Sequence, residues 1–213
     1  MPTDDELADA LIAARAGDEG GFAVLWRTLH PAVLRYLRVV AGDAAEDAAS
    51  ETWLQVARDL DQFTGSPAAF RGWLFRIARN RGIDELRRAG RRREDLAGSA
   101  AVDLAGSVAA GRAGLVGPAA AGLVGPDAAA EAIEGAETEW ALSRVALLPA
   151  DQAEAVMLRV VAGLDVATTA QVLGKRRGAV RVATMRGLRR LATDPQVRVR
   201  AAERSRLEST ERV

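Results

Sequence analysis

The sequence predicts an all-α fold of two small helical domains joined by a flexible linker, and three observations carry that prediction. Of its 213 residues, 49% are hydrophobic but only 4% are aromatic. A core of small aliphatic side chains with few β-branched alternations points to helices. Apolar positions recur at helical spacing through residues 5–93 and again through 137–192. Between them, residues 94–136 are rich in Ala, Gly and Pro and offer little large apolar surface to bury.

In chain order, residues 5–16 read as a short amphipathic helix closed by Gly17. A second helix over 22–40 carries Phe22, Leu25, Trp26, Leu29, Val33, Leu37 and Val40 at helical spacing. Pro31 makes its neighbour His30 a loop or helix-start residue. A third helix over 44–60 has Ala48, Thr52, Leu54 and Val56 among its less polar positions. Residues 60–67, rich in Asp, Gly, Ser and Pro, form a turn, and a basic helix starts near Ala68.

Residues 70–93 hold nine arginines, two acids and three aromatics. At about 100° per residue, Phe70, Trp73, Leu74, Ile77 and Ala78 share one stripe, and Arg71, Arg76 and Arg79 point roughly the other way. Phe75 falls among the arginines. Positive charge with an aromatic set into it suits nucleic acid, because guanidiniums meet phosphates and a ring stacks on an unpaired base. A solvated basic helix end, with Phe75 packed against a neighbour, is the alternative.

The linker contains a short tandem repeat, A-G-L-V-G-P-A-A at 113–120 and A-G-L-V-G-P-D-A at 121–128. Two such copies cannot build a solenoid, and Gly with Pro resists regular helix. Beyond it, Trp140, Leu142, Val145, Leu147 and Leu148 supply apolar surface before Pro149. Asp151 with Glu154 resembles a capping box opening a helix over 153–162, stopped by Gly163. Asp165 caps another helix carrying Val166, Ala170 and Leu173, which Gly174 ends. Lys175, Arg176, Arg177 and Gly178 make a basic turn. The next helix, over 179–191, keeps Val180, Ala183, Gly187 and Leu191 on one side and spreads Arg181, Arg186, Arg189 and Arg190 over the rest. This pattern fits a helix-turn-helix whose second helix enters the major groove. A small bundle with basic residues for solubility is the alternative. The charged tail over 193–213 leaves helix and disorder equally open.

The formal net charge of zero conceals alternating blocks. Residues 1–70 carry twelve acids and five arginines, 71–93 nine arginines and two acids, 94–139 eight acids and Arg112, and 175–190 seven basic residues with no acid. Such blocks mean separate surfaces for separate partners. With no cysteine and one histidine, disulfides, thiolate metal sites and histidine zinc clusters are excluded. The acidic start Thr3, Asp4, Asp5, Glu6 is unlike a signal peptide, and no run reaches the length of a membrane span. A cytoplasmic protein with no cofactor, no bound metal and no membrane insertion is expected. Glu46, Asp47 and Glu51 could ligate a hard cation, but no nucleophile–base pair or phosphate loop accompanies them, so the chain does not read as an enzyme.

The stretches A-E-D-A-A-S-E-T-W-L-Q at 45–55 and F-R-G-W-L-F-R-I-A-R-N-R-G-I-D-E-L-R-R at 70–88 resemble the second conserved region of bacterial extracytoplasmic-function sigma factors, in the sigma-70 superfamily. L-P-A-D-Q-A-E-A-V-M-L-R-V-V-A-G-L at 148–164, followed by the basic helix-turn-helix, resembles their fourth region. The resemblance implies a four-helix region 2 module over 5–93, a region 4 module over 137–192, and a transcription initiation subunit. Its implied partners are core RNA polymerase (β′ clamp helices and β flap), promoter DNA and an anti-sigma protein. Glu46, Asp47, Glu51, Trp53, Leu54 and Gln55 would dock on the clamp helices, or else form a core helix with solvated acids, with Trp53 and Leu54 dividing those roles.

In the same family, the loop over 61–66 holds a base turned out of the non-template strand, which brings in Asp61, Phe63 and Ser66. Arg71, Phe75, Arg76, Arg79 and Asn80 would meet the downstream element. Lys175, Arg176, Arg177, Arg181, Thr184, Met185, Arg186 and Arg189 would meet the upstream one. The chain departs from the family at Thr168 and Thr169, where Glu and an aliphatic residue are usual, and at Ala179, Val182 and Ala183 in the recognition helix. The competing class is a stand-alone helix-turn-helix regulator, which needs neither the acidic docking helix nor the W-L-F-x-I-A-R-N helix.

Overall fold

A computed structural model of the chain describes residues 4–100 and 126–210, with side chains over 5–91 and 135–204. All of the tandem repeat but its last three residues, and with it most of the expected flexible linker, lies outside the described residues. Among those described, the regular structure is entirely helical.

Helix α1 (Asp4–Arg15) buries Leu7, Ala10, Leu11 and Ala14 against α2 (Glu19–Ala41). The Asp18 carboxylate accepts from the Gly21 amide at 2.6 Å and so caps α2. Pro31 and His30 lie inside α2, not in a loop or at a start. Leu25 and Leu29 before the proline and Val33, Tyr36 and Leu37 after it are all buried on one face. Burying that face outweighs the roughly 3 kcal/mol an interior proline costs.

A 3-10 turn, Gly42–Ala44, leads into α3 (Ala45–Asp59), and a second, Leu60–Gln62, leads out of it. Helix α4 (Pro67–Ala100) begins where the Ser66 hydroxyl accepts from the Ala69 amide. It is longer than its basic stretch and runs into the expected linker. Helix α5 (Pro126–Ala146) enters the same segment from the other side. Proline suits a first helical position and alanine is the strongest helix former, so residues 126–130 begin a helix despite the neighbouring glycines.

The second module continues with α6 (Ala150–Val156), a π-helical turn (Met157–Val161), α7 (Val166–Leu173), α8 (Arg177–Thr193) and α9 (Pro195–Thr210). The Asp151–Glu154 capping box does not form. Pro149 takes the N-cap position without a side-chain bond, Asp151 pairs with Lys175 at 2.5 Å, and Glu154 reaches across to Arg79. The Asp165 cap does form: its carboxylate accepts from the Ala167 and Thr168 amides at 2.6 and 2.8 Å. Gly174, at φ +63°, occupies the left-handed position that closes α7. The tail is helical over Pro195–Thr210, opened by Asp194, whose carboxylate accepts from the Gln196 amide at 2.8 Å.

The two modules pack on one another. Their buried side chains form a single apolar cluster running from Leu7 in α1 to Val180 in α8. Helix α2 supplies one side of the junction, through Tyr36 facing Glu154 and Arg38 paired with Glu139. Helix α4 supplies the other, with Gly72 lying against Thr168 of α7.

Candidate nucleic-acid interface

Three surfaces gather the residues singled out from the sequence. The first is the outer face of α3. Ala45, Ala48, Ala49, Thr52, Trp53 and Val56 turn inward, with Trp53 only 6% exposed and set edge-on to Phe22 at 5.9 Å. Leu54 is 59% exposed, amid exposed Glu46, Asp47 and Glu51. Trp53 therefore belongs to the core, and the apolar anchor of this acidic face is Leu54. Gln55 is half-buried and held by Arg81, whose Nε and Nη2 donate to its Oε1 at 3.1 and 2.8 Å. Glu46 lies 3.5 Å from Arg38. Among the described residues no group of three His, Cys, Asp or Glu side chains is placed to hold a metal ion, and no helix is long and apolar enough to cross a membrane.

The second surface joins the turn before α4 to its basic face. Asp61 and Ser66 are exposed. Phe63 is half-buried, with its ring 5.5 Å from Phe70 and 5.2 Å from Trp73, so an aromatic floor lies under the turn. Arg76 and Asn80 are exposed and Arg71 is half-buried. Phe75 departs from the base-stacking expectation. It is 1% exposed and packs edge-on against Tyr36 at 5.6 Å. Helix α4 is covered by α2 on the side the sequence assigned to solvent, so this ring cannot stack on a base.

Arg79 also has a partner that sequence spacing did not reveal. Its Nε donates to Glu154 Oε2 at 2.6 Å, and the Tyr36 hydroxyl lies 3.5 Å from the same oxygen. Burial alone would lower Arg79, but the hydrogen bond and charge of Glu154 overcome this and hold the guanidinium more firmly protonated than usual. Burial, reinforced by the Glu154 charge, pushes the Tyr36 phenol well above its ordinary range. Tyr36, Glu154, Gly72 and Thr168 are the residues sequence reasoning missed here. Tyr36 sits at helical spacing after Leu29 and Val33, and that spacing was the available signal.

The third surface is α8 and the turn before it. Arg176, Arg177, Arg181, Met185, Arg186 and Arg189 are exposed, and Lys175 is half-buried in its Asp151 pair. Thr184 is turned inward, its buried hydroxyl without a hydrogen-bond partner, so it lies off the outer face. Val180 and Gly187 face the module. A Cβ on Gly187 would come within 2.8 Å of Val156, so glycine there lets α8 lie close on α6. Thr169 takes the place of an aliphatic residue: it is fully buried and its hydroxyl donates to the Asp165 carbonyl at 2.7 Å.

A helical module with an acidic outer face and a basic helix is followed here by a helix-turn-helix, the element order of a helical nucleic-acid-binding protein. Residues 25–92 match the model of sigma-70 region 2, and residues 138–191 that of sigma-70 region 4. The chain is 32% identical over 198 residues to the ECF RNA polymerase sigma factor SigD of Mycobacterium tuberculosis, covering 90% of this chain and 85% of that one. It is also 32% identical over 181 residues to the ECF RNA polymerase sigma factor BldN of Streptomyces coelicolor, covering 84% of this chain but only 62% of BldN. Its fold is similar to that of sigma factor RpoE of Bartonella quintana, solved with the anti-sigma factor NepR, at a TM-score of 0.53 and 24% identity over 81% of this chain and 98% of that one. The chain belongs to the ECF RNA polymerase sigma factors, a family of transcription initiation factors.

Proposed function

We propose that this chain docks on core RNA polymerase through the outer face of α3 and carries the enzyme to promoters, where its two modules divide the DNA. The single observation that supports docking best is Leu54, an exposed leucine on the same helix as exposed Glu46, Asp47 and Glu51. An apolar anchor set among carboxylates suits a basic coiled coil such as the polymerase clamp helices. Residues 5–93 form the docking and strand-separating module. Within it the loop over 61–66 receives a base turned out of the non-template strand, and Arg76, Arg79 and Asn80 hold the strand. No bond is broken in that step: opening follows from binding the single strand better than the duplex.

Residues 137–192 form the module that reads the upstream element. Arginine pairs bidentately with guanine, and exposed Arg177, Arg181 and Arg186 supply that chemistry. The β flap of the polymerase is the second docking partner of this module. An anti-sigma protein is a further partner, supported by the shared fold with RpoE, which was solved with NepR. The stand-alone regulator is disfavoured because the first module matches sigma-70 region 2 over residues 25–92. The test is capture of purified core polymerase followed by promoter-dependent transcription. Leu54→Ala should weaken capture by at least about 1 kcal/mol. A chain that binds duplex DNA yet never joins core polymerase would be a regulator instead.

A further inference from the structure

The strand-holding face of α4 is roofed by the second module. Helix α7 lies over it so closely that a Cβ built on Gly72 would meet the Thr168 methyl at 2.5 Å. The cleft between them is lined by Phe63, Ser66, Trp73 and Arg76 on one side and by Thr168 and Gln171 on the other. Deeper in the junction Glu154 holds Arg79 at 2.6 Å, with side-chain exposures of 14% and 24%. Glu154 holds the Nε edge of Arg79, and that edge can take another anion only if Glu154 leaves it.

We propose that Arg79, with the Tyr36 hydroxyl beside it, is a phosphodiester site for the separated strand, and that Glu154 occupies this site while the modules are closed. Carboxylate and phosphate oxygens are alternative acceptors for the same guanidinium, so the closed chain carries its own substitute for the strand. Opening the junction exposes Arg79, the cleft over the 61–66 loop and the Tyr36 hydroxyl together. This inference rests on the strand-holding role given to Arg79 above.

The same close approach supplies the test. A Cβ at Gly72 would lie 3.9 Å from the Thr168 Cβ, within the roughly 3.5–4.5 Å that a disulfide spans, and the chain has no cysteine of its own. Full-length protein carrying Gly72→Cys and Thr168→Cys should cross-link on mild oxidation. Adding Glu154→Gln should slow that cross-linking about tenfold, because a charge-assisted bond is lost. The oxidised protein should still join core polymerase through α3 but fail to open a promoter, and reduction should restore opening. In the cysteine-free chain, Glu154→Gln should tighten binding of fluorescent oligo(dT) about tenfold, whereas Arg79→Ala should weaken it. Promoter opening by the oxidised form at the reduced rate overturns the inference. If Arg79→Ala weakens oligo(dT) binding but Glu154→Gln changes neither binding nor cross-linking, competition fails and the strand role stands. If neither substitution affects binding, the strand role of Arg79 fails as well.

Discussion

Trp53 and Leu54 are adjacent in sequence and opposite in consequence. Taking Ala45, Ala48, Thr52 and Val56 as the inward side of α3, steps of about 100° put Leu54 directly outward and Trp53 at the edge of the core. Replacing Trp53 by Ala should destabilise the protein by about 3–5 kcal/mol, read as a lower midpoint of thermal unfolding. Leu54→Ala should leave that midpoint unchanged while weakening core capture. Tyr36 gives a pH signature. Its phenol is raised in the folded chain by burial and by Glu154, so its stabilising contribution is complete below the unfolded value of about 10. Above that pH the unfolded chain loses the proton first, and stability falls as pH climbs toward the folded value. Alkaline unfolding should therefore be shallower in Tyr36→Phe than in the parent, measured by circular dichroism against pH.

Among the elements, those with local causes were legible and those with distant causes were not. The Asp165 cap and the Gly174 stop follow from neighbours within four residues, and both formed. Asp151 and Glu154 had the spacing of a capping box, but each found a stronger partner far along the chain, in Lys175 and Arg79. Pro31 argued for a loop or helix start at His30, and the burial on both sides that keeps it inside α2 is a tertiary fact. Helix α8 depends on one such approach. Gly187→Ala gains up to about 1 kcal/mol of helix propensity but drives a methyl into Val156 and toward the Gln152 carbonyl at 3.3 Å. Overpacking of this kind costs about 1–3 kcal/mol, so the variant should unfold at lower temperature and bind upstream-element duplex more weakly. Helix α9 lies beyond the region 4 match and reaches α5 through side chains, with the Arg200 guanidinium 4.6 Å from the Trp140 ring centroid and 3.8 Å from Glu137. Ending the chain after Asp194 should shift tryptophan emission to the red, as Trp140 meets water, while the helix-turn-helix keeps its fold.

For the whole molecule, charge is arranged by surface rather than by total. The seven basic residues over 175–190 are set on the helix-turn-helix, with six of them exposed or rimming α8, so upstream-duplex binding should fall steeply with salt. Each exposed phosphate-contacting arginine removed should lower the slope of log affinity against log salt by about 0.9. Arg176→Ala and Arg189→Ala, titrated at several salt concentrations, check this. The two modules and their order were legible from periodicity and motifs. Their closed packing was not, because nothing local in either module records the face of the other. Phe75 illustrates the difference: helical spacing set it among arginines, but the ring is buried against Tyr36 of α2, and spacing within α4 carries no information about that neighbour.

The π-helical turn at Met157–Val161, closed by the Ala162 amide on the Met157 carbonyl at 3.0 Å, holds one residue more than an α-helix uses for the same advance. In the gene that residue is a single codon. Its deletion would tighten the turn into regular helix and leave the flanking residues on the faces they now present. A relative that lacks the codon can present the same residues to α4, and its sequence aligns with this one across the junction only through a one-residue gap at the turn.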